Sequence, residues 1–145
     1  MATRTIVNEE SNPTIKRNGW VKIGIKTALF SIIAVLVIQA LAVSVWPEIA
    51  SFKPLDSYPR SALFTLIPAI GATAVFAWLV KHQNQPDKKF IILSGVLLLL
   101  SFIPDYALPL ENKTFLASSV AAFMHLAAGI VTVATIVTSY RSQVR

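Results

Sequence analysis

The chain has 145 residues, of which 54 % are apolar and only 14 % charged, whereas a soluble domain carries about 25 % charged residues; the missing charge points to lipid. The length suits one compact unit rather than two domains, and the absence of cysteine excludes disulfides, thiolate metal sites and thiol nucleophiles. A formal charge of +6 would suit nucleic acid, but the placement of the charges, set out below, argues against that partner.

Residues 1–22 read as a polar cytoplasmic segment, in which Asn12-Pro13 interrupts any helix. The first apolar run, 23–46, reads IGIKTALFSIIAVLVIQALAVSVW. A hydrocarbon core roughly 30 Å thick needs about 20 residues of helix, so this run spans. It is longer than the roughly 7–15 apolar residues of a signal peptide and follows a polar lead, so it is expected to be retained. The next stretch, PEIASFKPLDSYPR, is the longest connection. Phe52, Leu55 and Tyr58 alternate there with Pro47, Pro54 and Pro59. It reads equally as a cap over the bundle mouth and as an exposed linker.

The second apolar run is 61–80, followed by the short basic connection KHQNQPDKK. The third begins near Phe90. Stopping at Pro104 would leave it roughly 21 Å long at ~1.5 Å per residue, too short to cross. The reading adopted is therefore a helix over 89–108, with Pro104 and Asp105 inside its outer end. The fourth helix is predicted over 115–140, and 141–145 forms a cytoplasmic tail. Four such segments with almost no charge on any face leave no solvated surface for a soluble bundle. The predicted fold is all-α, an integral membrane four-helix bundle with its transmembrane domain at 23–140. Pro68, Gly71 and the small residues Ala69, Thr73 and Ala77 make the second helix slim, which serves either a kinked cavity or tight packing.

Lys and Arg give the orientation. Ten of them flank one side: Arg4, Lys16, Arg17, Lys22, Lys26, Lys81, Lys88, Lys89, Arg141 and Arg145. Only Lys53, Arg60 and Lys113 flank the other. The positive-inside rule then places both termini in the cytoplasm, and the protein is expected to be a multi-pass protein of the plasma membrane. Trp20, Trp78 and Tyr140 fall near the inner boundary and Trp46, Tyr58 and Tyr106 near the outer one, where amphipathic rings prefer to sit.

Polar groups inside such segments are costly unless they face protein or a cavity. His125 lies 11 residues into the fourth helix, close to the midplane, within a small-residue stripe of Ala121, Ala122, Ala128 and Gly129. It either fixes helix register through a hydrogen bond or contacts a ligand or proton. One histidine without further ligands makes no metal site. Gln39 is the polar residue of the first helix, able to donate and accept. Asp105 needs a cation or water at the outer rim, and Arg60 is its candidate partner, with Asp56 competing for the same arginine. Asn112-Lys113-Thr114 matches a glycosylation sequon but stands so close to the fourth helix that it reads as chance. No phosphate loop or HExxH is present, no paired carboxylates fall within a helix turn in the membrane, and no ladder of charges or filter motif lines a helix.

With these residues laid out, the chain resembles a family of small four-helix membrane proteins of unknown function labelled DUF6069. The features that carry the resemblance are Pro54-Leu55 in the outer loop, LLLLSFIP at 97–104 and MHLAAG at 124–129, and it covers about residues 24–140. The resemblance implies the architecture and no activity; DoxX-like proteins share only the general layout.

The leading functional expectation is a non-enzymatic membrane protein that binds a small apolar or amphipathic molecule, or a partner protein, within its bundle. Gln39, Arg60, Asp105 and His125 supply the polar contacts, with no catalytic residue, metal or cofactor assigned. Membrane lipids and a second copy of the chain are the other expected partners. The alternatives are an oligomeric transporter or proton-coupled channel, and an enzyme acting on a lipid or quinone with His125 as base and Arg60 holding a head group.

Overall fold

The computed structural model describes residues 15–144. Four helices carry the fold: α1 (Arg17–Val45), α2 (Tyr58–His82), α3 (Pro86–Ala107) and α4 (Phe115–Gln143). All four are long and apolar enough to cross a membrane, and no strand occurs among the described residues. Part of the polar segment expected at 1–22 lies outside the described residues, including Asn12-Pro13. Its remainder from Arg17 onward is helical, because a helix does not stop where the hydrocarbon does.

Local chemistry sets the ends. Trp46 closes α1, with Pro47 after it opening a short 3-10 turn over Pro47–Ser51. Ser57 caps α2 by accepting from the Arg60 N–H, and Pro59 sits in the first turn, where its missing N–H costs nothing. Thr114 caps α4 by accepting from the Ala117 N–H at 3.1 Å. Helix α3 runs through Pro104 to Ala107. Its C-terminal carbonyls, on Tyr106 and Leu108, accept from the Lys113 ammonium, a cation placed at the negative end of the helix dipole.

α1 lies between α2 and α4, and α3 packs chiefly against α4. Trp20 at the start of α1 stacks on Tyr140 near the end of α4, with ring centroids 6.1 Å apart. Both ends of the described chain therefore meet at one end of the bundle, here the terminal end; the opposite one is the loop end. A Cβ on Gly129 would stand 3.3 Å from the Leu98 side chain, so the glycine lets α3 and α4 approach closely.

The core is divided in two along the bundle axis. At the terminal end, Ile23, Phe76, Leu79, Val80, Phe90, Ile136, Val137 and Tyr140 bring all four helices together. Phe76 is at its centre, 4.8 Å from the Phe90 ring and 5.3 Å from Tyr140. At the loop end the cluster consists of Val35, Ala42, Ile49, Phe52, Leu55, Ala117, Val120, Ala121 and Met124. Those residues come from α1, α4 and the 46–57 loop, with none from α2 or α3. The loop is thus a plug: Ile49, Phe52 and Leu55 are fully enclosed, whereas Tyr58 is exposed. In α3 only Phe90 and Asp105 are buried, so most of its surface faces outward.

Candidate functional site

The four polar residues singled out in the sequence fall at three places. Gln39 is completely buried, and its amide donates to the Leu55 carbonyl at 3.0 Å. This bond ties the plug to the loop-end third of α1, so the Gln39 amide N–H₂ is engaged within the protein. Its Oε1 has no hydrogen-bond partner. Replacing Gln39 with Leu removes the donor and leaves the Leu55 carbonyl unmet, while also removing the unpartnered oxygen. The expected net loss is about 1 kcal/mol. A cysteine introduced at Lys53 should then react faster with a water-soluble maleimide, since the chain has no other thiol.

Arg60 does not meet Asp105. Its guanidinium pairs with Asp56 one turn back and also donates to the Lys53 carbonyl at 2.8 Å. Proximity in sequence decides the competition, because residues at i and i+4 share one helix face or cap turn. The group is partly exposed and trims the loop rather than building a pocket.

Asp105 pairs instead with His125: its Oδ2 lies 3.0 Å from His125 Nδ1. The two helices run antiparallel, and side chains on a helix lean toward its N-terminus. Asp105 therefore leans away from the loop end and His125 toward it, and they converge although their Cα atoms sit at different depths. Backbone contact fixes the pairing from above, where the Ser118 hydroxyl donates to the Asp105 carbonyl at 2.7 Å. Tyr106, the next residue, donates to Ser119 at 3.2 Å. Near the middle of the bundle a further bond, Ser31 Oγ to Thr132 Oγ1 at 2.8 Å, joins α1 to α4.

The two members of the pair differ in burial. The Asp105 side chain is 6 % exposed and that of His125 46 %. The carboxyl group is enclosed by protein, while the imidazole is half-exposed and its Nε2 makes no hydrogen bond among the described residues. His125 is ten residues beyond Phe115, roughly 15 Å along a helix roughly 43 Å long. If α4 is centred on a ~30 Å hydrocarbon core, the ring lies inside it. Sequence reasoning marked both residues without joining them. The available signal was two titratable groups on consecutive spanning helices, each in need of a partner.

A second feature lies on the opposite flank of α4. An apolar groove of about 370 Å³ runs between α1 and α4 at the loop end, lined by Ile38, Leu41, Val45, Trp46, Leu116 and Phe123 among others. Ser119 is its one hydroxyl-bearing wall residue. At the terminal end, Arg141 joins Asp87 at 2.8 Å, closing α4 onto the start of α3. Among the described residues no three His, Cys, Asp or Glu side chains come together as a metal site would require.

The chain matches no family model, no curated protein and no solved structure.

Proposed function

We propose that this chain is a small multi-pass protein of the plasma membrane that binds a small apolar or amphipathic molecule through the Asp105–His125 pair. The observation that carries the reading is a single hydrogen bond joining an enclosed carboxylate to a half-exposed imidazole in spanning helices. Ionisable groups at such depth are expensive, and they mark ligand or ion paths more often than they serve packing alone. The loop-end interior is filled by Phe52 and Leu55, which favours a ligand on the α3–α4 flank over one inside the bundle. The resemblance to the DUF6069 family fits this architecture. Purified in mild detergent and examined by native mass spectrometry, the protein is expected to carry a co-purifying small molecule that His125→Ala loses. A bare wild-type protein, or equal occupancy in both, would remove the reading.

Orientation belongs to the same proposal. The ten-to-three distribution of Lys and Arg supports cytoplasmic termini. In intact cells a cysteine replacing Lys53 should react with an impermeant maleimide, and one replacing Lys88 only after permeabilisation. The reverse pattern would invert the topology.

Proton-linked transport is the second reading, favoured by the direct hydrogen bond between a carboxyl group and an imidazole in spanning helices. Proteoliposome flux that is lost in His125→Ala would support it, and equal flux in the two proteins would dismiss it.

A further inference from the structure

The Asp105–His125 geometry restricts the chemistry of what it can bind; the inference that follows rests on the ligand-binding reading above. The Asp105 carboxyl has one ionisable partner among the described residues, His125. Of the other cations at the loop end, Arg60 pairs with Asp56, Lys113 bonds the α3 carbonyls and exposed Lys53 makes no ion pair with Asp105. The pair must therefore balance its own charge. A net charge in hydrocarbon is disfavoured by desolvation, so the relevant protonation states are the neutral ones.

Two neutral states share one proton along the 3.0 Å line between Oδ2 and Nδ1. In the first, a carboxylate accepts from the Nδ1–H of an imidazolium, and Nε2 also carries a proton. In the second, the carboxylic acid donates from Oδ2 to a bare Nδ1, and the single imidazole proton is again on Nε2. Of the other neutral states, the one that keeps this bond has Nδ1–H donating to Oδ2 and the acid proton on Oδ1. No acceptor is bonded to Oδ1 among the described residues, so that proton would be an unmet donor on an enclosed side chain, which is costly. In both well-bonded states Nε2–H is a donor without a partner among the described residues, on a half-exposed ring.

We propose that His125 Nε2 donates a hydrogen bond to a carbonyl oxygen of an apolar molecule lying along the α3–α4 flank, a ligand class that includes quinones and other long-chain carbonyl compounds. Depth separates these from bilayer phospholipid. Ester carbonyls sit at the edge of the hydrocarbon, whereas the ring lies roughly 9 Å beneath it if α4 is centred on a ~30 Å core. Leu98 and Phe102 share the Asp105 face of α3 and are partly exposed, offering an apolar bed for the rest of such a molecule.

The test uses full-length protein in nanodiscs with histidine labelled by ¹⁵N. The chain has two histidines, and His82, which bonds the Trp78 carbonyl, is the internal control. Decylubiquinone should shift the His125 Nε2 resonance in a saturable way and leave His82 unmoved. Decane, which lacks an acceptor, should shift neither. His125→Leu should weaken decylubiquinone binding at least tenfold, while His125→Gln, which keeps an N–H donor, should bind within a few-fold of wild type. If dodecanol moves the Nε2 signal and decylubiquinone does not, the donor assignment fails while ligand binding stands. If the unsupplemented phospholipid occupies the site and blocks the quinone, the ligand is a lipid ester and the depth argument fails. No response to any of these probes, or equal affinity in wild type and His125→Leu, overturns this inference together with the reading beneath it.

Discussion

Phe52→Ala should destabilise the protein by about 3–5 kcal/mol, the usual range for deleting a fully buried phenyl ring. The ring is completely enclosed in the loop-end core, yet it belongs to a connection rather than to a spanning helix. When the plug comes out, the ring meets water, so both the transfer free energy and the cavity left behind count against the variant. The damage should also be local. No α2 or α3 side chain takes part in that core, so the terminal-end aromatic cluster should persist while the loop opens. The check is SDS-driven unfolding in mixed micelles, read once through Trp20 fluorescence and once through maleimide reactivity of a cysteine at Lys53. The reactivity transition should move to lower SDS further than the fluorescence transition. Coincident shifts would mean that the two cores melt together.

Phe76→Ala provides the contrast. Phe76 is equally enclosed and touches rings from α1, α3 and α4. Its unfolded reference, however, is a separated helix still in hydrocarbon, where lipid tails solvate the ring as well as protein does. Only the packing and cavity contribution remains. At about 24 cal/mol per Å³, a void of roughly 100 Å³ gives roughly 2–2.5 kcal/mol. The expected order is therefore Phe52→Ala above Phe76→Ala despite identical burial. The Phe76 variant should lower both transitions together, since its cluster ties all four helices. A larger loss for Phe76→Ala in the same micelle titration would refute the solvent argument.

The helices were legible because lipid imposes a length on apolar runs that is easily read. Their ends were less so. The run starting at Ile23 marks where hydrocarbon begins, but α1 begins at Arg17; between them Trp20 packs edge-on against Phe76 and face-on against Tyr140. Hydropathy reports the solvent and not the backbone. The 46–57 loop showed its apolar residues plainly, yet which would insert depended on the turn at Pro47–Ser51, which buries Ile49 with Phe52 and Leu55 and leaves Tyr58 outside.

The site followed the same division. His125 and Asp105 stood out because ionisable residues are rare in such segments. Their partnership required knowing that α3 lies against α4 and that their side chains lean toward one another across an antiparallel contact. Arg60 was drawn away by Asp56, a neighbour in sequence. Gln39 was marked as the polar residue of the first helix, but its engagement with the Leu55 carbonyl depends on how the plug folds back. Single-sequence reading finds groups that need partners; tertiary packing chooses the partners.

The helices are unequal. With 29 residues each, α1 and α4 reach roughly 43 Å, while the 22 residues of α3 reach roughly 33 Å. Thickening the bilayer by a few ångströms leaves the long pair with reserve and exhausts the short one, which must straighten or draw the surface inward. Asp105, two residues from the end of α3, sits where that mismatch concentrates. Longer acyl chains are therefore expected to strain its partnership with His125.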